Sequence, residues 1–383
     1  VAGKPKANEQ GGNKKNGTFI QCIQHVFSLY LDCGLAKALL QWQRYKMIHK
    51  NPLSVEVTRG GMVESRHRVH GLVMDAKGTV VHGWGDLDKV IYPRSAIKPM
   101  QALPFIETGA ADAVSATIEE VAFACASHNG EPHHAGRANQ WLSRLGLSHK
   151  NLECIGHYSH EETSLHTQLK NHEQITNVHN NCSGKHCGFL STALHQGEPL
   201  ENYISPDHPV QQRLIQVLSE LSDCDLSGSP TGIDGCGIPV FGMPLSALAL
   251  ASARMAAPES LAANRRAASQ RITAAMAAHP YEVAGQNRFD TNVMKAGNGA
   301  FVTKTGAEGV HVGLFLKSGY GIAVKCEDGT KRAVDVAMAN ILDELGGFDD
   351  AGRAAVAHHL VTPVTNAAGL MAGEIRMESG WQS

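Results

Sequence analysis

Tyr92-Pro93-Arg94-Ser95-Ala96-Ile97-Lys98-Pro99 sets a hydroxyl and an amine three residues apart, a spacing that puts both on one face of a helix. A serine attacks only after a neighbour takes its proton, and a lysine can do this when burial or a second cation lowers its pKa. A helix start adds partial positive charge that favours the developing anion. The same stretch also suits a plain helix cap with Lys98 in solvent, so the rest of the chain decides. Ser127-His128-Asn129 follows an apolar run, Val121 to Ala126, and precedes Gly130-Glu131-Pro132, a loop position that would equally suit capping of the next helix. Lys304-Thr305-Gly306 closes an expected strand much later. Lys317-Ser318-Gly319 has the same form but falls at an expected hairpin turn, where Ser-Gly is required by the backbone. Lys304 is therefore taken as the site residue.

The order S-x-x-K, S-x-N, K-T-G is that of the serine β-lactamases and penicillin-binding proteins. A third constellation has different chemistry. Asn180-Asn181-Cys182-Ser183-Gly184-Lys185-His186-Cys187 and Ile233-Asp234-Gly235-Cys236-Gly237-Ile238-Pro239 are two polar, glycine-flanked, cysteine-bearing segments. Thiolates, imidazoles and carboxylates in tetrahedral array suit zinc. Cys182 and Cys236 are the natural pair, with His186, Asp234 or Lys185 to complete the set. The spacing is not that of a zinc finger, and buried apolar cysteines on a helix beginning near Ser183 are the alternative.

These residues need elements to hold them. Strands are expected over 53–57, 69–74 and 79–84, with Asp75-Ala76-Lys77-Gly78 as a turn, and again over 300–305, 310–316 and 320–326. Between them helices are expected over 97–108, 135–145, 162–173, 209–222, 245–255 and 258–278, with a last one over 332–345. Strands from both ends around a helical middle predict an α+β fold, one antiparallel sheet sewn from the two chain ends with helices packed on it. Residues 1–50 read as an extension outside this fold, polar over 1–18 and weakly amphipathic over 19–42, with Met47 ahead of Asn51-Pro52 as a natural beginning. Residues 51–383 read as a single domain.

Composition narrows the function. Of 383 residues 43% are hydrophobic and 18% charged, enough to bury a sizeable core. Lys+Arg 34 against Asp+Glu 36 gives a net charge of −2, which excludes a protein built around nucleic-acid phosphates. Aromatics at 5% argue against a base- or sugar-stacking surface. No apolar run reaches membrane-spanning length. Nine cysteines, an odd count without a C-x-x-C pair, predict a reduced, cytoplasmic setting rather than a disulfide framework.

Taken together, the Ser95, Ser127, Cys182, Asp234–Pro239 and Lys304–Gly309 motifs, with the opening Val55-Glu56-Val57-Thr58-Arg59-Gly60, resemble the rhizobial-type (class 3) L-asparaginases from about Asn51 almost to the C-terminus. The resemblance implies a serine β-lactamase-like fold, a homodimer, and hydrolysis of L-asparagine to L-aspartate and ammonia. It implies two Ser-Lys tandems, Ser95 with Lys98 and Ser127 with Lys304. It also implies zinc on Cys182, Lys185 and Cys236, aiding substrate binding rather than chemistry, with Asp234 positioning substrate or Lys185. Arg94 is expected to pair with the substrate α-carboxylate, because guanidinium forks suit carboxylates. A glutaminase or β-lactam-hydrolysing enzyme on the same scaffold is the nearer alternative. A non-catalytic zinc- or amino-acid-binding protein is the more distant one.

Overall fold

The computed structural model describes residues 48–382 and Gly3. The chain divides into two compact units, Val1–Met47 and Ile48–Ser383. The expected polar leader and amphipathic stretch fall in the first unit, outside the described residues. In the second, nine strands form one sheet among the described residues. They are β1 (Ile48–His49), β2 (Leu53–Arg59), β3 (Met62–Asp75), β4 (Val80–Trp84), β5 (Val302–Gly306), β6 (Val310–Phe315), β7 (Tyr320–Cys326), β8 (Thr362–Thr365) and β9 (Met371–Met377). The order is β8-β9-β2-β3-β7-β6-β5, with β4 beside β3 and β1 parallel to β4. The seam between the chain ends is the antiparallel pairing of β3 with β7, from Val69 opposite Cys326 to Asp75 opposite Tyr320. This is the expected α+β sheet from both termini.

Side chains alternate across the sheet with period two. Leu72, Met74, Val310, Val312 and Leu314 join a core shared with most of the helices. Val69, Val73, Ile322, Val324 and Phe315 face the other way, into a second core with Ala333, Val334, Ala337 and Ile341. Nine helices concern the site: α1 (Lys98–Gln101), α2 (Ile118–Ala124), α3 (Pro132–Arg144), α4 (Ser183–Gln196), α5 (Pro209–Ser222), α6 (Leu245–Ala256), α7 (Ala263–Ala278), α8 (Phe289–Ala296) and α9 (Lys331–Glu344). Helix α9 thus covers one face, and the motif-bearing helices cover the other.

Local chemistry explains where elements depart from the expected spans. The helix expected over 97–108 is two pieces, α1 and Leu103–Glu107. Pro104 has no N–H to return to the carbonyl four residues back, whereas Pro99 sits in the first turn, where none is needed. Helix α2 was visible only as an apolar run. Thr117 caps it through the Glu120 amide, and the Glu120 carboxylate bonds back to the Thr117 amide. Strand β3 starts at Met62, ahead of the expected 69, because its first half pairs with β2. Among the described residues no helix is long and apolar enough to cross a membrane.

Candidate active site

The chain enters the site through a 3-10 turn, Arg94–Ile97, that runs directly into α1. Arg94 has φ +51°, in the left-handed region that disfavours side chains. Its Nε donates to Asp234 Oδ1 at 2.7 Å, which ties the turn to the Asp234–Pro239 loop. Strand β5 lies against the same turn. A Cβ on Gly306 would fall 2.7 Å from the Pro93 carbonyl oxygen and 3.1 Å from the Ala96 amide nitrogen, so only glycine lets the strand approach this closely. The first and third motifs are therefore neighbours. Ser95 is half-buried, and among the described residues its hydroxyl makes no hydrogen bond.

Lys98 is fully buried and donates three ways, to Ser127 Oγ at 2.9 Å, to Cys182 Sγ at 3.1 Å and to the Ala126 carbonyl. Three donors is all an ammonium has. Ser127 lies just past α2, its amide fixed on the Val283 carbonyl at 2.8 Å. Cys182 arrives from the start of α4, which packs on α2 so tightly that a Cβ on Gly184 would stand 2.1 Å from the Phe123 carbonyl oxygen. The hydrogen bond seen at Ser127 thus comes from Lys98, and none joins Ser127 to Lys304.

The other two residues of Ser127-His128-Asn129 brace the loop. His128 Nδ1 accepts the Gly130 amide at 3.0 Å, so its Nε2 proton is the one donated to Ser183 Oγ at 2.9 Å. Burial and the neighbouring His134 hold its pKa well below the ordinary histidine value. Asn129 donates to the Gln286 carbonyl at 3.0 Å and accepts from the Arg288 guanidinium at 2.9 Å.

Lys304 comes from β5 and is also fully buried. It stands opposite Val312, so its side chain shares the helix-covered face. Its Nζ donates to the Thr305 carbonyl at 2.7 Å and lies 3.9 Å from Asp290 Oδ2. Burial drives its pKa down to about 7; Asp290 opposes that fall, while the charges of Lys98 and Arg288 assist it. Asp290 in turn is held down at about 2 against burial by Lys304, with His311 helping.

The third constellation also closes up. Lys185 Nζ donates to Cys236 Sγ at 3.1 Å, and Cys182, whose thiol donates to Asn181 Oδ1 at 3.1 Å, neighbours Cys236. The neighbouring Cys182 thiol pulls the Cys236 thiol well below its usual pKa, against burial and with help from Lys185 and Lys98. Two sulfurs and an amine therefore converge, a donor set that suits a soft ion once the lysine is deprotonated. Among the described residues no three His, Cys, Asp or Glu side chains form such a group. His186 is turned away, with Nδ1 2.7 Å from the Tyr203 hydroxyl and its ring fully buried. Asp234 pairs with Arg94, and its pKa lies below the ordinary value because Lys185 and Arg94 outweigh burial.

The structure thus links Lys98 to Ser127 and Cys182, Lys185 to Cys236, and Arg94 to Asp234, and it lays the Lys304 strand against the turn that carries Ser95. Sequence reasoning missed Asp290 and Arg288. Their signal was a charged pair, Arg288-Phe289-Asp290, shortly ahead of the Lys304 strand.

Among solved structures, the chain is similar to a protein described as Mglu, at 13% identity and TM-score 0.37, covering 73% of this chain and 67% of that one. It is similar to a candidate beta-lactamase from Bacteroides dorei DSM 17855, at 12% identity and TM-score 0.35, covering 79% and 92%. A beta-lactamase from Mycobacterium bovis matches at 14% identity and TM-score 0.31, covering 72% and 94%. At such scores these likenesses carry no weight for mechanism. No curated protein sequence matches the chain. The family model for L-asparaginase II matches residues 55–377, nearly the whole of the second unit, and the chain therefore belongs to the L-asparaginase II family of amidohydrolase enzymes acting on small molecules.

Proposed function

We propose that this protein hydrolyses L-asparagine to L-aspartate and ammonia through a covalent serine ester. The observation that carries the reading is a buried lysine, Lys98, hydrogen-bonded to one serine and set three residues after another. In the forward reaction Lys98 acts as the base that takes the Ser95 proton as Oγ attacks the side-chain carboxamide. The C–N bond then breaks, and the leaving nitrogen takes a proton from Ser127, which Lys304 replenishes. Water, deprotonated by the same groups, releases aspartate from the ester. Arg94 and Asp234 engage the amino-acid end of the substrate, the guanidinium toward its carboxylate.

Ser95 is the preferred nucleophile because it is only partly buried and, among the described residues, its hydroxyl makes no hydrogen bond. The 2.9 Å bond from Lys98 favours a second reading, with Ser127 as nucleophile and Lys98 as its direct base. Cys182, Lys185 and Cys236 would hold zinc, which would orient the bound substrate rather than take part in the chemistry. We keep residues 51–383 as the catalytic domain, and a cytoplasmic homodimer as its working form.

Ammonia release from L-asparagine, with L-glutamine in parallel, tests the function. Release from asparagine at a higher kcat/KM supports it. Equal rates favour the glutaminase alternative, since one methylene is worth only about 1–3 kcal/mol. Ser95→Ala should abolish turnover, and a variant with near-normal rate would transfer the nucleophile to Ser127.

A further inference from the structure

Strand β5 is the edge strand of the sheet, and an edge strand leaves outward-facing backbone donors unpaired. Here a carboxylate meets one of them. Asp290, from the first turn of α8, is 1% exposed. Its Oδ1 accepts the Thr303 hydroxyl at 2.9 Å and its Oδ2 accepts the Thr305 amide at 3.0 Å. Those two residues flank Lys304, whose Nζ lies 3.9 Å from the same Oδ2. The carboxylate is thus anchored on both sides of the lysine it faces, to a side-chain hydroxyl before it and a backbone amide after it. A buried carboxylate without a cation would be heavily penalised, so its presence beside Lys304 calls for a charged lysine.

We propose that Asp290 is a positioning residue of the reaction: its carboxylate holds the Lys304 ammonium toward the pocket and keeps it available as the proton donor for the departing nitrogen. This rests on the reading of the pocket as a Ser-Lys amidohydrolase. The proton balance is simple. Lys304 gives one proton through Ser127 as the C–N bond breaks, and recovers one from the water that cleaves the ester. Around Lys304 the charged and titratable groups are Asp290 and Arg288 from the α8 segment, Lys98 from α1, Cys125 from the end of α2 and Cys182 from the start of α4. His311 on β6 faces Asp290. Asp290 is the one member that raises the lysine's proton affinity at contact range, and burial with Lys98 and Arg288 works against it. Removing the carboxylate charge should therefore let Lys304 lose its proton at lower pH.

The test is Asp290→Asn, which keeps the acceptor for Thr305 and removes the charge. Lysine-labelled protein gives the titration of Lys304 by its 13Cε resonance, assigned by its loss in Lys304→Met, without reference to any substrate. The midpoint should fall by about one pH unit or more. The alkaline limb of kcat for ammonia release from L-asparagine should move down with it, and kcat at its optimum should fall about tenfold with KM little changed. If either the resonance or the limb stands still, the proposal is overturned. Should Asp290→Asn fail to fold, Asp290→Glu serves. It should titrate near the wild-type midpoint while losing about tenfold in kcat through misplacement, and unchanged kcat would overturn the positioning role. A wild-type protein silent on asparagine would sink the asparaginase reading alone, because the resonance titration still decides between a charge partner and a bystander.

Discussion

Two fully buried lysines, Lys98 and Lys304, are held in opposite ways. Lys98 has its three donors on a serine, a cysteine and a backbone carbonyl, with no carboxylate among its hydrogen-bond partners. Lys304 has a carboxylate, Asp290, itself locked to the edge of the sheet. The first arrangement holds the amine by a hydroxyl, a thiol and a carbonyl, with no carboxylate at hydrogen-bond distance. The second ties the lysine's charge to a buried anion. The proposed mechanism needs a base and an acid in turn, and under it the two environments would divide those roles.

The comparison can be broken by removing each amine. Lys98→Met should cost about 10²–10⁴-fold in kcat, as loss of a general base does, with a stability loss of only about 1–3 kcal/mol for the unsatisfied polar partners. Lys304→Met should also suppress turnover. It strands the Asp290 carboxylate, however, and should destabilise by about 3–5 kcal/mol in denaturant unfolding. Adding Asp290→Asn to Lys304→Met should restore much of that loss. Equal destabilisation by the two methionine variants would erase the distinction.

Smaller effects sharpen it. Cys236→Ala should lower the zinc content of the purified protein and raise KM more than it lowers kcat, as loss of a positioning ion does. A metal-free wild type with unchanged KM would remove zinc from the account. The smallest effect is in stability against pH. Lys304 titrates at about 7 when folded, against 10.5 for an ordinary lysine. Between those values the unfolded chain binds the extra proton, so this group makes stability rise with pH, and Lys304→Met should flatten that rise.

Much of the site was legible in the chain because its chemistry is concentrated in short motifs. Ser95-x-x-Lys98 and Lys304-Thr305-Gly306 could be paired by order alone, and Gly306 proves to be what lets them touch. Which lysine touches which serine was not legible, since it depends on how α2 and α4 close on each other at Phe123 and Gly184. Asp290 was hidden for a related reason. A single aspartate in an amphipathic helix looks like a solvated residue until the sheet edge is known. The sheet's seam was readable from alternation in β3 and β7, but β8 and β9 were not. Strand β9 alternates only over Glu374-Ile375-Arg376-Met377, after an exposed Met371 and the small Ala372 and Gly373, too short a run to mark a strand.

The central claim is a covalent ester on a serine fed by Lys98. Its most direct test is peptide mass spectrometry of enzyme quenched during asparagine turnover. The account predicts an aspartyl ester on the peptide carrying Ser95, absent from Lys98→Met. Active enzyme with neither Ser95 nor Ser127 modified at any quench time would contradict it.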